Sequence, residues 1–408
     1  MTPLHRLWRY FPPGWRRYGL SWIGGHLAPA AKNQPDVSSE VLIGGEIFRA
    51  SGLGEGARIM QRALRKENIP SWMFEVQPYK FSRQRYNKNQ RILADKPKAP
   101  LVLHVNAPQL PYALLALPRK YLFQRKIIGY WAWELPVISD DWKPGFRCVH
   151  EIWVPSIFTA QALEPWARKY KKIIRIVPHA LAATSLKPVC QSRMTFGLPE
   201  NALIVFVSFN LASSFVRKNP LAAIQAFRKA FGNQKDRVLL LKISHAEHYP
   251  EDMAAIQQAV SDLSNVIIKT EILSASESLA LMASVDIVLS LHRSEGFGLV
   301  PAEGMMLGKA VISTNWSATT EFLDDQCGMP IHYRLIPVED PRMVYQIPNA
   351  LWADPDIDHA AQALIRLANN PEYRIHLGQE SRKHIMNKLG TKPLKDALIA
   401  NGVLKAAL

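Results

Sequence analysis

The segment SEGFGLVPAE, residues 294–303, lies between the apolar run DIVLSLH (286–292) and the small-residue run GMMLGKAVISTN (304–315). This order predicts a strand, a tight Gly-Phe-Gly turn and a helix that packs closely on a sheet. Two carboxylates, Glu295 and Glu303, bracket the turn. Attraction to the helix dipole would explain either acid alone. Together with the free N–H groups of a helix start, two hydroxyl-accepting acids predict a ligand site at the carboxyl end of a strand.

The same alternation of apolar runs and helical patterns continues along the chain of 408 residues. It predicts an α/β protein with two Rossmann-like parallel-sheet domains that face each other across a cleft. The predicted parts are an arm (1–36), an N-terminal domain (37–185), a C-terminal domain (186–385) and a helical tail (386–408). Whether the tail packs back on the N-terminal domain stays open. The polar stretch KFSRQRYNKNQR (80–91) is predicted to be an exposed basic loop.

The net charge of +16 is confined to one half of the chain. Residues 1–180 hold 28 Lys and Arg against 12 Asp and Glu, whereas residues 181–408 hold 22 of each. A uniformly basic chain would indicate little more than solubility. A basic half beside a neutral half predicts that one half faces an anionic surface or substrate.

The cysteines, Cys148, Cys190 and Cys327, are far apart and lack C-x-x-C spacing, which predicts a reducing compartment and argues against a zinc site. No apolar run reaches the roughly 18 residues of a membrane helix. The N-terminus lacks the apolar core of a signal peptide. We therefore expect a cytoplasmic protein without a resident metal or cofactor.

The first 35 residues form a basic aromatic arm. Its cations and rings are Arg6, Arg9, Arg16, Arg17, Trp8, Tyr10, Trp15, Tyr18 and Trp22. Arg with Trp and Tyr is typical of a segment that lies in a bilayer interface, where cations meet lipid phosphates. The alternative is an arm packed on its own domain. The Pro12-Pro13-Gly14 sequence excludes one continuous helix through the arm.

Two cations follow the first predicted strand of the C-terminal domain. Arg217 and Lys218 occur in SFVRKNP, directly before a helix that Pro220 would open. Two positive charges at a strand's carboxyl end, beside a helix N-terminus, suit a diphosphate. Basic residues at a helix start are unfavourable to the dipole, which weakens their interpretation as ordinary surface charge.

The N-terminal domain has its own candidates near strand ends. Gly52, Gly54 and Gly56 in SGLGEGAR follow the first strand and predict a glycine-rich loop that approaches a ligand phosphate, or a tight turn without a ligand. Their match to a dinucleotide-binding fingerprint is loose. Further candidates for the acceptor or the cleft are Glu134, His104 and His179, each of which has a structural alternative.

Taken in motif order, residues 200–385 resemble the glycosyl transferases group 1 domain of GT-B retaining glycosyltransferases of family 4. The shared signature is Glu, seven residues and Glu around Gly-Phe-Gly, a small-residue helix, a strand and a later acid, here Glu321. RKNPLAAIQAF resembles the phosphate-binding segment. SGLGEGAR and GYWAWELPVISDDW with EIWVPSIFTAQAL resemble the acceptor domain of bacterial polysaccharide members.

The resemblance implies a role for each residue of the opening segment. Glu295 would hold the hydroxyls of a donor sugar, helped by the amides of Phe297 and Gly298. Glu303 would hold the ribose hydroxyls of the donor nucleotide. No Asp-x-Asp motif stands where a metal-dependent transferase would need one.

The diphosphate of that donor would meet Lys218, Arg217 and the amides of Leu299 and Val300. In the family the phosphate-binding arginine usually stands several residues before the lysine, so the role of Arg217 stays open. Many members also place a histidine after the fourth N-terminal strand, where this chain has Trp133 and Glu134.

The resulting interpretation is a retaining, metal-independent transferase of a nucleotide-sugar, with a glycan or lipid-linked acceptor in surface polysaccharide assembly. We expect it on the inner face of the cell membrane, bound to anionic lipid and not to nucleic acid. The alternatives are a nucleotide-sugar epimerase or phosphorylase with the same fold, a basic nucleic-acid-binding protein, or an inactive scaffold.

Overall fold

The computed structural model describes residues 13–32, 34–49, 51–78, 83–184 and 192–405, without the side chains of residues 13–18, 20, 83 and 84. The predicted arm before residue 13, the predicted boundary at 185–186 and the last three residues lie outside this description. Contacts divide the chain into two units. The N-terminal unit comprises Met1–Thr184, Met343–Ala350 and Gly390–Leu408; the C-terminal unit comprises Ser185–Arg342 and Leu351–Leu389.

The N-terminal unit contains a six-stranded parallel sheet. Its strands are β1 (Val41–Gly45), β2 (Ser71–Glu75), β3 (Leu101–His104), β4 (Ile127–Tyr130), β5 (Glu151–Val154) and β6 (Ile173–Ile176), in the order β2-β1-β3-β4-β5-β6. The helices before residue 184 are α1 (Pro13–Leu27), α2 (Gly52–Lys66), α3 (Arg83–Asp95), α4 (Leu110–Leu115) and α5 (Ile157–Lys169).

The C-terminal unit contains a second six-stranded parallel sheet and a hairpin. The sheet strands are β7 (Leu203–Asn210), β8 (Arg237–Ser244), β9 (Val266–Lys269), β10 (Ile287–Ser290), β11 (Ala310–Thr314) and β12 (Met329–Ile331), in the order β12-β11-β10-β7-β8-β9. The hairpin pairs β13 (Tyr333–Pro337) with β14 (Leu351–Pro355) in antiparallel register.

Helices surround this second sheet. They are α6 (Phe215–Lys218), α7 (Pro220–Phe231), α8 (Pro250–Ala259), α9 (Ala275–Ala283), α10 (Leu299–Met306), α11 (Ile357–Asn369) and α12 (Pro371–Lys388). The chain ends with α13 (Lys392–Ala400), which belongs to the N-terminal unit. The predicted α/β class with two Rossmann-like parallel sheets is confirmed.

Inner strands of both sheets can be buried along their whole length because helices cover both faces. Every residue of β1 and of β11 is buried. The core of the N-terminal unit also includes the tail: Leu394, Ala397 and Leu398 of α13 pack with residues of β1 and α2. Two polar contacts fix the tail there, from Thr391 Oγ1 to Glu67 (2.5 Å) and from Asn401 Nδ2 to Glu151 (2.7 Å).

Helix α1 packs on its own unit and still exposes an apolar side. It contacts α4 and the 3-10 segment Asp140–Cys148, and Ser21 Oγ donates a hydrogen bond to the Asp141 carbonyl (2.5 Å). Trp22, Ile23 and Leu27 are 50%, 45% and 58% exposed. Among the described helices, none has both the length and the apolar character that crossing a membrane requires.

The exposed basic loop predicted for residues 80–91 is wrong from Arg83 onward. Arg83–Asp95 form helix α3, in which Asn89 and Leu93, one turn apart, are both buried. Arg, Gln and Lys are good helix formers, so a segment with few apolar residues still forms a helix once a narrow side is covered. Residues 79–82 lie outside the description.

The order of the second sheet determines where its site lies. From β7 the chain runs outward to β8 and β9 and then returns to β10 on the other side of β7. The pairing of Ile287 with Val205 and of Val288 with Phe206 joins the two strands. Ligands of open α/β sheets bind outside the carboxyl ends of the strands at such a reversal. Segments that follow β7 and β10 therefore meet at one point.

Helix α12 packs against α10 and β11, and one glycine permits this close approach. A Cβ built on Gly378 would lie 2.1 Å from the Gly308 carbonyl oxygen, in the turn between α10 and β11. This oxygen belongs to the backbone, so it cannot move away as the end of a flexible side chain would.

We predict that Gly378→Ala lowers the free energy of unfolding by about 1–3 kcal/mol, because the methyl group overpacks a backbone contact. Gly390→Ala is the matched control, because a Cβ there meets nothing within 4 Å. Thermal unfolding followed by circular dichroism should show a lower midpoint for Gly378→Ala, by roughly 2–4 °C per kcal/mol. Equal midpoints for the two variants would show that the close contact does not exist.

Candidate active site

The two cations that follow β7 lie in a short helix between two unusual backbone positions. Ser214 (φ 102°) caps α6, and its Oγ accepts a hydrogen bond from the Arg217 amide (3.3 Å). Asn219 (φ 53°) ends α6, so that α7 can begin at Pro220. The Asn219 side chain donates to the Leu291 carbonyl (3.1 Å), which joins this segment to the end of β10.

Glu295 follows β10 and is fixed by the loop after β11. Its amide donates to Ser317 Oγ (2.8 Å), and its carbonyl accepts from the Ala318 amide (3.2 Å). Ser317 has a left-handed backbone (φ 66°) that turns its hydroxyl toward Glu295. The loops after three adjacent strands, β7, β10 and β11, thus converge on Glu295.

That carboxylate forms ion pairs with both cations. Lys218 Nζ lies 2.5 Å from Glu295 Oε1, and Arg217 Nη1 lies 3.2 Å from Oε2. The two cations differ in exposure: the Lys218 side chain is 20% exposed, whereas Arg217 is 1% exposed. Arg217 also donates to the Ser294 carbonyl and to Ser213 Oγ, both at 2.7 Å. Arg217 therefore points into the protein, and Lys218 toward its surface.

The ion pairs keep the acid ionised. Burial alone would raise the pKa of Glu295, but Lys218 and then Arg217 outweigh it and lower the pKa to about 2. His292, which follows β10, is in contrast uncharged. Burial lowers the pKa of its ring to about 4, so the ring is neutral at pH 7. A charged acceptor beside a neutral imidazole is suited to holding hydroxyl groups rather than to exchanging protons near neutrality.

Gly298 starts helix α10 beside this acid. Its φ of 97° is one that side chains rarely adopt, and a Cβ there would lie 2.5 Å from Thr319 Cγ2. Phe297 is buried, with its ring 5.4 Å from that of Phe322. Gly298 is the N-cap residue and has no side chain with which to cap the helix. Its first N–H groups, including those of Leu299 and Val300, therefore supply the positive end of a helix dipole.

A small cavity of about 20 Å³ opens between these groups. Lys218, Glu295, Ser208, Ser290 and Val300 contribute to its wall. This space accommodates about one water molecule. Leu299 and Glu303 are on the same helix as Val300 but do not line the cavity.

Strained backbone concentrates around Glu295. Ser214, Asn219, Gly298 and Ser317 all have positive φ, and each belongs to a segment that contacts or flanks the ion-pair cluster. At the three non-glycine residues this backbone costs on the order of 1–3 kcal/mol each, and such strain clusters at functional sites. The sequence had pointed to Gly298 through the Gly-Phe-Gly turn. Ser214, Asn219 and Ser317 carried no comparable signal, because none of them is a glycine.

In the N-terminal unit, the predicted glycine-rich loop is wrong. Gly52, Gly54 and Gly56 form the first two turns of α2, which Ser51 caps by accepting from the Gly54 amide (3.2 Å). Gly56 allows α2 to approach a buried ring, since a Cβ there would lie 2.5 Å from His179 Cε1. This glycine is explained by packing.

The predicted histidines lie in a buried aromatic stack. The rings of His104 and Tyr130 are 4.3 Å apart, and those of Tyr130 and His179 are 5.6 Å apart. Tyr130 Oη donates to the Val177 carbonyl at 2.8 Å. Burial lowers the pKa of His179 to about 4 and the pKa of His104 well below its usual range. Both rings are neutral and are nearly inaccessible from solvent.

Glu134 has a different setting. It accepts a hydrogen bond from Tyr345 Oη (3.1 Å), and the Tyr345 ring stacks on Trp133 at 5.3 Å. Tyr345 belongs to the short segment Met343–Ala350 that joins this unit. Glu134 thus helps to fix this segment.

Among the described residues, one group has the spacing of a metal site, and it includes none of the predicted site residues. The ligand atoms of Asp324, Cys327 and His384 lie within 4.8 Å of one another. Burial raises the pKa of Cys327 to about 12, so its sulfur is protonated near neutrality. A thiol is a much weaker metal ligand than a thiolate.

Three comparisons identify similar proteins. Residues 202–370, most of the C-terminal unit, match the family model described as "Glycosyl transferases group 1". A human protein, alpha-1,3/1,6-mannosyltransferase ALG2, is 22% identical over 263 residues. The matched region is 60% of this chain and 56% of that protein, so the chain matches little more than half the length of its relative.

Solved structures agree on the fold over nearly the whole chain. HepE from Anabaena, solved with UDP and glucose, is 13% identical with a TM-score of 0.61 and matches over 90% of this chain and 100% of its own. Sucrose-phosphate synthase from Thermosynechococcus elongatus is 16% identical with a TM-score of 0.64, at the same coverage. The chain thus has the GT-B fold, and its residues 202–370 match the glycosyl transferases group 1 family model.

Proposed function

We propose that this protein transfers a sugar from a nucleoside diphosphate to a hydroxyl group of a glycan or lipid-linked acceptor. The observation that carries the proposal is the ion-pair cluster of Glu295, Lys218 and Arg217 at the strand reversal between β7 and β10. It lies in the segment that matches the family model. Two similar proteins, a mannosyltransferase and a protein solved with UDP and glucose, favour a nucleotide-sugar donor.

In this proposal Glu295 and Lys218 bind different parts of the donor. The ionised carboxylate accepts hydrogen bonds from sugar hydroxyls, with help from the amides of Phe297 and Gly298. Lys218 is partly exposed and reaches the surface, so its ammonium group can exchange Glu295 for a diphosphate oxygen. A cation close to the leaving diphosphate stabilises the negative charge that develops as the sugar departs.

Arg217 acts through Glu295 rather than on the donor. Its guanidinium is buried and is held by Ser213, Ser294 and the carboxylate. Turning it toward a diphosphate would break these bonds and leave buried acceptors without donors. This interpretation replaces the direct diphosphate contact that the sequence suggested, and it makes Arg217 a positioning residue.

The start of α10 completes the donor contacts. The amides of Leu299 and Val300 face the diphosphate at the positive end of the helix dipole. Glu303, one turn further along α10, accepts the ribose hydroxyls. With a lysine and a helix N-terminus supplying positive charge, we propose that the reaction proceeds without a metal ion.

The proposed reaction retains the configuration at the sugar carbon. The bond from that carbon to the diphosphate oxygen breaks, and a bond to the acceptor oxygen forms on the same face. The acceptor's hydroxyl proton passes to the departing diphosphate oxygen, so the protein needs no dedicated base. The pKa of about 2 for Glu295 agrees with this division, because an acid that is ionised at neutral pH and paired with two cations is a poor proton acceptor.

The acceptor is proposed to be a lipid-linked glycan in surface polysaccharide assembly, used at the inner face of the cell membrane. Two features of the N-terminal unit support a membrane: its excess of positive charge and the exposed apolar side of α1. The buried stack of His104 and His179 and the helical Gly52, Gly54 and Gly56 would support the acceptor region by packing. Glu134 would do so by holding Tyr345.

We predict that at least one UDP-, GDP- or ADP-sugar raises the thermal midpoint of the protein, because a ligand bound only to the folded state stabilises it. Lys218→Gln should weaken this binding at least tenfold, because a charge-assisted contact to the diphosphate is lost. Thermal shift and calorimetry measure both effects.

Lys235→Gln is the matched control for this prediction. It removes one lysine charge from the same unit, but Lys235 is exposed and precedes the amino end of β8, on the opposite edge of the sheet. Its donor affinity should be unchanged. If no nucleotide sugar raised the thermal midpoint, the proposed function would be contradicted. If both variants lost donor affinity equally, the site would lie elsewhere. Acceptor-independent conversion of the donor would favour an epimerase, and an inverted anomeric centre in the product would exclude retention.

For the membrane, we predict that the double variant Trp22→Ser and Leu27→Ser weakens flotation with anionic vesicles. These two apolar side chains of α1 are 50% and 58% exposed, so they are available to insert into a bilayer interface. The control is Ile272→Ser, which removes a 91% exposed apolar side chain from the C-terminal unit. Binding should also fall with salt, because basic groups contribute to it. Unchanged flotation of the double variant would remove the membrane proposal and leave the enzyme proposal intact.

A further inference from the structure

The N-terminal unit contains a cavity that none of the predicted site residues lines. It has a volume of about 240 Å³ and lies at the carboxyl ends of β1 and β2. Its wall includes Phe48, Met73, Glu75, Arg85, Lys88 and Asn89. The volume is below the roughly 300–1,000 Å³ of drug-sized ligand sites. It suits a single sugar ring better than an extended chain.

Two residues of the wall, Asn89 and Glu75, carry hydrogen-bond acceptors. Asn89 is 3% exposed and donates through Nδ2 to the Glu75 carbonyl (3.0 Å), which orients its amide. Its Oδ1 is buried and accepts no hydrogen bond from any described residue. Such a group costs roughly 1–3 kcal/mol, and a ligand hydroxyl that reached it would remove this cost.

The Glu75 carboxylate adds further acceptor capacity. Glu75 is 8% exposed, and its two oxygens accept from the Phe48 amide (3.3 Å) and from Gln77 Nε2 (3.1 Å). A carboxylate has about four lone-pair positions, so it can take additional donors. Asn89 and Glu75 together present acceptors to a ligand that carries hydroxyl groups.

The remaining wall is basic and aromatic. Arg85 and Lys88 stand one turn apart on α3, on the side of the helix that also carries Asn89. Arg85 Nη1 is held by Gln77 Oε1 at 2.8 Å, and Lys88 is exposed at the cavity. Phe48 is 82% exposed, which is unusual for a phenylalanine and leaves a flat apolar face beside the opening. Two cations outweigh the single acid, so an anionic ligand is favoured over a neutral one.

We propose that this cavity binds the sugar phosphate portion of the acceptor: one ring whose hydroxyls meet Asn89 and Glu75, and an anionic phosphate that meets Arg85 and Lys88. The proposal names the acceptor class and so rests on the proposed transferase function. The same chemistry occurs in a free sugar monophosphate and in the phosphodiester of a lipid-linked sugar.

The methyl group of Met73 makes binding in this cavity directly observable, because Met73 lines it. In a methyl-labelled full-length protein, glucose 1-phosphate should shift the Met73 signal, which Met73→Leu identifies. Glucose and inorganic phosphate should each bind at least tenfold more weakly, because each supplies half of the contacts. Met305 and Met306 lie on α10, the helix whose start contacts the donor in the proposed function, and their methyl signals report separately on that helix.

Variants of α3 test the charge requirement. Lys88→Gln should weaken the Met73 response to glucose 1-phosphate by about threefold or more, in line with an exposed charge pair, whereas Lys88→Arg should retain it. Arg91→Gln is the control, since Arg91 is exposed on the same helix and does not line the cavity. Both Lys88→Gln and Arg91→Gln should keep the nucleotide-sugar response at Met305 and Met306.

The outcomes separate this inference from the proposed function. A Met73 signal that no probe moves, or that glucose or phosphate alone moves as strongly as glucose 1-phosphate, overturns the sugar phosphate site. If Met305 and Met306 still respond to a nucleotide sugar, the proposed donor site survives that result. Octyl glucosyl phosphate serves as the diester probe. Its tighter binding would assign the site to lipid-linked acceptors, and tighter binding of glucose 1-phosphate would assign it to soluble ones.

Discussion

The site depends on one buried carboxylate that two cations hold at the point where the second sheet reverses its strand order. Taking a carboxylate out of water costs several kcal/mol, and only close opposite charges can offset this. Lys218 at 2.5 Å and Arg217 at 3.2 Å do so for Glu295, and they lower its pKa to about 2. Losing the acid would strand a fully buried Arg217, which typically costs about 3–5 kcal/mol. The cluster is therefore both a functional candidate and a structural constraint.

The fold provides this arrangement through its loops rather than through its core. Strands β7, β10 and β11 are mostly buried and apolar, and their polar residues stand toward their carboxyl ends. Left-handed backbone at Ser214, Asn219 and Ser317 turns the loops inward. Since the rigid sheet fixes the loop ends, strain at these residues can persist, and the cations and the carboxylate stay at hydrogen-bonding distance.

Local patterns predicted the parts of the site that are themselves local. The apolar run before Glu295 and the Gly-Phe-Gly turn indicated a strand, a turn and a helix, and the structure has all three. The direction of Arg217 was not predictable, because Ser213 and Ser294 determine it and Ser294 is 77 residues away. The cavity beside Asn89 was missed for a related reason: its polar segment looked like a loop, and only tertiary contact shows that α3 has a buried side.

The central claim is that Glu295 holds the donor's sugar while Lys218 holds its diphosphate. The most direct test compares, by calorimetry, the affinities of the wild type and Glu295→Gln for a nucleotide sugar and for the same nucleoside diphosphate without the sugar. Loss of charge-assisted hydrogen bonds to the sugar hydroxyls should weaken binding of the nucleotide sugar to Glu295→Gln by about tenfold or more. The bare diphosphate should bind unchanged or more tightly, because Lys218 loses its competing partner, and this binding also shows that the variant is folded. An equal loss for both ligands, or no loss for either, would contradict the account.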